Sequence, residues 1–254
     1  MGLTAARGRR PKPPAALFGL ETALNMEREM TLIWRPGVHA VMVEDDLVLL
    51  DEVADAYVCL LDGAKVVSVR ADGALSFNPP HAAEDMIAGG LVEPSSSAVA
   101  PANPPAKLPC TPLARLSRPR HVKVTPAEAA LFLIQAWRVA RAVRRWPMAR
   151  LLEALRGDRA AEPAKGRRSM AEACAVFDAL LAWSPFDGEC LFRSVLRRRF
   201  LMALGHSPDL VIGVRTWPFR AHCWLQSGVD ALDDWPERLC AYRPILAASA
   251  SQGR

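Results

Sequence analysis

Val38, Ala40 and Met42 recur at every second position. A nearly continuous apolar run follows at Leu47–Leu50, and a third apolar stretch at Ala56–Leu61. Segments of this length, separated by the acidic turns Glu44-Asp45-Asp46 and Glu52–Asp55, predict three short strands in an antiparallel meander. Short helices are expected over 62–70 and 81–88, with Asn78-Pro79-Pro80 between them, Gly89-Gly90 as a stop and Leu91-Val92 as a last strand. From Thr125 the period changes to that of a helix. Thr125-Pro126-Ala127-Glu128 reads as a capping box with proline at the first helical position, and Leu131, Ile134, Val139 and Val143 then recur on one face up to Trp146-Pro147. Further helices are expected over 148–156, 169–182 and 190–204, then strands over 210–215, 221–226 and from 231.

Between these two patterned regions the chain is rich in Ser, Ala and Pro. The expected organisation is therefore a tail (1–30), a small α+β module (31–93), an extended linker (94–120) and a larger α+β domain (121–254). Charge divides the same way. Residues 31–100 hold eleven carboxylates against three Lys/Arg, and residues 101–254 hold twenty-four Lys/Arg against thirteen carboxylates. Opposite signs on either side of a linker suit two modules that attract each other or select different partners. The arginines of the second half interleave with apolar residues at helical spacing, which argues against nucleic acid as the partner. No run approaches the roughly 20 apolar residues of a membrane span. The basic, Pro-rich first thirty residues lack the apolar core of a secretory signal, so the expected compartment is the cytoplasm, with Met26 and Met30 as alternative starts.

The six cysteines, Cys59, Cys110, Cys174, Cys190, Cys223 and Cys240, contain no C-x-x-C pair and read as reduced thiols. His39, His81, His121 and His206 show no metal-ligand spacing, so no metal site is expected, and acyl transfer through a thioester would need no cofactor. Cys190 is different. It follows a turn, Trp183–Glu189, and opens an apolar-periodic helix, where free N–H groups and the helix dipole favour a thiolate. His222 lies on a later strand. Alternation puts His222, Trp224 and Gln226 on one face and Cys223 on the other, pointing away from the histidine, so Cys223 is a weak rival nucleophile. The third group, which would hold the imidazole, is Asp234 or Asp233, twelve or eleven residues on; only one of the two can face the site. Arg193, one turn after Cys190, is a candidate for a substrate carboxylate or for an ordinary salt bridge. Trp183, Trp217 and Trp224 are candidate walls of a peptide cleft, with core packing expected for at least one. Arg197-Arg198-Arg199 reads as a solvated helix face, with a docking patch as the alternative.

Several stretches taken together resemble one family. They are Cys190-Leu-Phe-Arg193-Ser194, Leu210-Val-Ile-Gly213-Val, Pro218-Phe-Arg-Ala221-His222-Cys-Trp224-Leu, Asp233-Asp234 and Tyr242-Arg-Pro244-Ile. The C-x-x-R-S and A-H-x-W motifs in this order resemble the lasso peptide maturation B proteins, over about residues 125–246. The resemblance implies a transglutaminase-like, papain-like cysteine protease domain with Cys190 as nucleophile, His222 as base and Asp234 as orienting acid. It implies that the leader is removed from a ribosomally made precursor before an ATP-dependent, asparagine-synthetase-like cyclase closes the ring. It also implies that residues 31–93 form a small winged-helix-like leader-recognition domain, similar to the PQQ-biosynthesis peptide chaperone, which adds the leader to a sheet edge. Cys223 stands where the family often has Ala. The rival readings are another amidase or transglutaminase-like acyl-transfer enzyme, and a non-catalytic precursor-binding scaffold.

Overall fold

The computed structural model describes residues 31–95, 114–115, 117, 119, 121–162, 168–184 and 190–249. The basic tail and most of the Pro-rich linker lie outside them.

The meander expected from the first apolar runs is present as β2 (Val38–Val43), β3 (Asp46–Asp51) and β4 (Ala56–Leu60), hydrogen-bonded in that order. Its central strand explains the unbroken run Leu47–Leu50. Leu47 and Leu49 pack with Val38, Leu75 and Met86 in a small core, while Val48 and Leu50 join Phe132, Phe177 and Phe200 in a large one. Both faces of β3 are buried, so its sequence does not alternate. Through β3, residues 31–95 and the C-terminal region share apolar packing.

The helix expected over 62–70 is not formed. A single turn, α1 (Gly63–Val66), runs straight into β5 (Val67–Val69), whose β-branched valines suit a strand. Gly63 is required there, because a Cβ would come within 2.4 Å of Leu47 Cβ. Strand β5, with β6 (Leu75–Phe77), β1 (Thr31–Trp34) and β7 (Val92–Ser95), makes a four-stranded sheet in the order β5-β6-β1-β7, against which α2 (His81–Ala88) packs. Residues 31–95 are thus richer in strand than the winged helix expected there.

The C-terminal region begins with α3 (Pro126–Arg145), α4 (Met148–Arg156) and α5 (Met170–Ala182). Thr125 and Glu128 cap α3 reciprocally, as the sequence predicts, and Ser169 and Glu172 do the same for α5. The next helix, α6 (Cys190–Ala203), packs on α3, α5 and the sheet; Phe132, Phe177 and Phe200 meet between these helices with ring centroids 5.5–6.3 Å apart. The sheet itself runs β12-β9-β10-β11-β8, made from β8 (Ala114–Arg115), β9 (Asp209–Arg215), β10 (Arg220–Ser227), β11 (Asp230–Ala231) and β12 (Arg243–Ala248), with the turn α7 (Pro236–Leu239) before β12. Strand β12 was not predicted. Its Pro244 argues against a central strand, and the structure places it at the sheet edge with an irregular register between Pro244 and Leu246.

The arginine run is a correction. Arg197 and Arg198 are 4% and 0% exposed rather than solvated. Arg197 donates to Asp178 at 2.5 Å and to the Leu232 carbonyl at 2.7 Å; Arg198 donates to Asp158 and to the Pro208 carbonyl, both at 3.1 Å. Helical period puts two of three consecutive residues inside when a helix is covered on more than one side, and the buried charges persist because each is paired. No helix among the described residues is long and apolar enough to cross a membrane.

Polar contacts also join the two regions. Arg156 on α4 donates both terminal nitrogens to Glu52, at 2.5 and 3.2 Å, and His39 meets the same carboxylate at 2.5 Å. Burial by itself pushes the Glu52 carboxyl up, but the hydrogen bonds and charges of His39 and Arg156 outweigh it and hold the group below its ordinary value of 4.5. A depressed carboxylate stabilises the fold above its unfolded value and loses that contribution as pH falls through the folded one. Glu52→Ala should therefore destabilise the protein by about 2 kcal/mol at pH 7, measured by urea denaturation, and the difference between variant and wild type should shrink below pH 4.5.

Candidate active site

Cys190 is the first residue of α6, with its side chain at the surface. The helix lies against β10 and brings the sulfur to the side of that strand which β11 leaves uncovered. Pairing between β10 and β11 involves only Gln226 and Ser227. His222 and Cys223, further back on β10, line the same cleft as Cys190. Hydrogen bonds from the Cys223 side chain, from His222 and from the Cys223 main-chain N–H, working against burial, bring the Cys190 thiol down to about 4. The same contact acts in reverse on the imidazole: its hydrogen bond with Cys190, then that with Asp234, raise His222 above the ordinary 6.5 in spite of burial. Thiolate and imidazolium stabilise each other.

Of the two adjacent aspartates, Asp234 meets the histidine, with its Oδ2 2.7 Å from His222 Nε2. Its other oxygen accepts the Trp235 N–H at 2.7 Å, so the carboxylate is fixed in orientation. With Nε2 engaged there, Nδ1 is the ring nitrogen left for the sulfur. Asp233 points the opposite way, into the protein, and accepts from Ser194 Oγ at 2.8 Å and from the Leu225 N–H at 2.7 Å. Burial raises its pKa, with Arg197 and these hydrogen bonds in opposition. It ties α6 to the sheet.

The imidazole is backed by two aromatic rings, Tyr242 at 5.4 Å and Trp224 at 6.3 Å between centroids. They fit because residue 213, opposite His222 on β9, is glycine: a Cβ there would lie 2.6 Å from the Trp224 ring and 3.2 Å from Tyr242 Cβ. In front of the imidazole opens a cleft of about 550 Å³, lined by Cys190, Arg193, Phe219, Arg220, His222 and Arg238 among others. The apolar wall of Phe219 beside a rim of guanidinium groups suits a polypeptide whose main chain and carboxylates need donors.

The other sequence candidates separate. Arg193 lines the cleft and is exposed. Trp224 is 1% exposed and cannot wall an open cleft; its Nε1 donates to Gln226, and its ring supports the histidine from behind. Trp183, 91% exposed at the end of α5, is not among the described lining residues, and Trp217 donates to Asp46 at 2.9 Å across to the meander. Cys223 does face away from the His222 side of the strand, as alternation requires, yet that direction leads to Cys190. Sequence reasoning missed this contact, together with the Ser194–Asp233 bond and the Tyr242 buttress. The C-x-x-R-S spacing, which sets Ser194 one helical turn behind Cys190, was the available signal. Among the described residues no group of His, Cys, Asp and Glu is arranged to hold a metal ion.

Residues 132–247 match the family model described as the transglutaminase-like superfamily, a stretch that includes Cys190, His222 and both aspartates. This region is similar to the transglutaminase-like superfamily. The chain is also 39% identical over 51 residues to the microcin J25-processing protein McjB of Escherichia coli, a match that takes in 20% of this chain and 24% of that protein. It thus spans about a quarter of the length of the curated relative it matches. No solved structure matches the chain.

Gly213→Ala should force the Trp224 ring out of its place and loosen His222. An overpacked core costs about 1–3 kcal/mol, and the expected result is a destabilisation of that size in urea denaturation, with intrinsic tryptophan fluorescence altered in the native state.

Proposed function

We propose that this chain is a cysteine peptidase that removes the leader from a ribosomally made lasso peptide precursor. The observation that carries the reading is the relay from Asp234 through His222 to a depressed Cys190 thiol at the floor of an open cleft. In the proposed reaction, Cys190 Sγ attacks the carbonyl carbon of the last leader residue. The carbonyl electrons move to oxygen, then return to expel the amine of the core peptide, which takes its proton from His222 Nδ1. The leader is left as a thioester on Cys190. Water, deprotonated by His222, attacks the thioester; the leader leaves as a carboxylate and the thiolate re-forms. Asp234 holds the imidazole in the tautomer both halves need. Neither half needs a cofactor. Arg193, exposed on the cleft rim, is assigned to a substrate carboxylate.

Residues 31–93 take the leader. Strand β4 is an edge of its sheet among the described residues, so an extended peptide can add to it by main-chain hydrogen bonds. Tyr57 on β4 packs against Phe219 at 5.4 Å between ring centroids, and Phe219 lines the cleft. A leader seated on β4 would therefore run toward Cys190. In this reading the protein works in the cytoplasm and passes the core peptide to the ATP-dependent cyclase, which supplies the energy for ring closure.

The test is a cleavage assay with the precursor encoded beside this gene, read by mass spectrometry with and without the cyclase. Wild type should release the leader and Cys190→Ala should not. Loss of precursor cleavage in both, with binding retained, would replace the peptidase by a scaffold. Cleavage that survives deletion of the meander's side of the leader would point instead to a general amidase. Asp234→Asn should lower kcat by about 10²–10⁴-fold, whereas Asp233→Asn should act mainly on stability. The pH profile of kcat/KM should be bell-shaped, with its acid limb near 4 as Cys190 is protonated and its alkaline limb above 6.5 as His222 loses its proton.

A further inference from the structure

Helix α6 borders a second groove on its other side. Cys190, Arg193, Ser194 and Arg197, which line the cleft, recur at i, i+3, i+4 and i+7 and share one face of the helix. Val195, Arg199 and Met202 recur at i, i+4 and i+7 about half a turn away. They line a groove of about 490 Å³ between α6, α3 and residues 158–161, which has no lining residue in common with the cleft. The Ala161 N–H donates to the Met202 carbonyl at 2.9 Å and holds that segment on α6. The floor is apolar, since Val139, Leu151, Val195 and Met202 are all buried.

The outer face of α3 continues the groove. Leu133, Ile134 and Trp137 are 59%, 49% and 65% exposed. Trp137 follows Leu133 by four residues and Ile134 by three, so the three side chains adjoin in one apolar patch. Arginines are the next residues on the same rows: Arg138 four after Ile134, and Arg141 four after Trp137. Arg159 and Arg199 add to the groove from the other elements. Four guanidinium groups thus line it against one carboxylate, Asp158, which is already bound to Arg198 and Arg199 at 3.1 and 2.7 Å. Arg138, Arg141 and Arg159 make no hydrogen bond or ion pair among the described residues. Arginine near a helix C-terminus is ordinary, because the dipole favours it. A cluster of exposed Leu, Ile and Trp beside it is not.

We propose that this face of α3 and its groove dock an acidic amphipathic helix of a partner protein. The apolar stripe of that helix covers Leu133, Ile134 and Trp137 and sets a side chain into the groove between α3 and α6. Its carboxylates meet Arg138, Arg141 and Arg159. The excess of positive charge selects the sign of the partner, and the i, i+4 rows of α3 are the ridges on which a second helix packs. Trp and Arg are the side chains that carry most of the energy of such interfaces. A bilayer covers a flat apolar face but does not fill a groove, so the shape favours a protein. The docking does not depend on the reaction at Cys190, although the partner touches α6 on the side opposite that residue.

The probe is a stapled helical peptide with leucines at i, i+3, i+4 and i+7 and glutamates elsewhere, labelled with fluorescein and titrated with the full chain by fluorescence anisotropy. Wild type should bind it, more weakly as salt rises, and should not bind the same peptide with lysines in place of the glutamates. Trp137→Ala should weaken binding about tenfold. Arg138→Glu with Arg141→Glu should abolish it and confer binding of the lysine peptide. All three side chains are exposed, so the urea midpoints should stay at the wild-type value. Equal affinity for the two peptides, binding that survives these variants, or no binding at millimolar peptide would overturn the proposal. So would co-sedimentation with phosphatidylglycerol vesicles that Trp137→Ala abolishes, which assigns the face to a membrane. A dimer in sedimentation velocity that Trp137→Ala dissociates would overturn it too, and assign the face to a second copy.

Discussion

Strand β10 is longer than the neighbour on one of its sides, and its unpaired main-chain groups must find partners. Ser194 on α6 and Asp233 meet them: Ser194 Oγ, which donates to Asp233, lies 3.4 Å from the Cys223 carbonyl, and Asp233 takes the Leu225 N–H. The helix start is thereby held at the open strand edge, where Cys190 and His222 line one cleft. The reactive geometry is a consequence of completing a β-ladder with side chains rather than with another strand.

The support behind this edge is aromatic and ionic. Gly213 lets the Trp224 ring lie flat on β9, Tyr242 closes the other side, and the imidazole rests on both. On the helix side Arg197 binds Asp178 and the Leu232 carbonyl, just before the aspartate pair. Arg197 is buried with its charge paired and hydrogen-bonded, which is the condition under which charge inside a protein fixes geometry instead of destabilising it. Asp233 and Asp234 show how finely this is divided. Adjacent in sequence, one binds Ser194 on the helix and the other binds His222.

The meander is attached to this region by packing as well as by ion pairs. Val48 and Leu50 lie in the large core, Glu52 binds Arg156, and Tyr57 meets Phe219 at the cleft. A strand buried on both faces has little freedom to shift register, since a slip of one residue would exchange the contents of two cores. The meander is thus held against the C-terminal region in one register.

Much of this was legible in the residues alone. The capping boxes, the helical period after Thr125, the acidic turns of the meander and the placing of Cys190 at a helix start follow from local physics, so local sequence determines them. The choice between Asp233 and Asp234 was left open by the residues themselves, because either can face the site and only the turn after β11 decides. The helix expected over 62–70 gave way to β5 because a sheet was there to receive it, and β12 stayed hidden because Pro244 reads as a breaker unless the strand is an edge. The burial of Arg197 and Arg198, and the meeting of Cys223 with Cys190, depend on what packs against α6 from elsewhere in the chain. Period and capping are set within a few residues; which face is covered, and by what, is set by elements dozens of residues away, and only the tertiary structure brings those together.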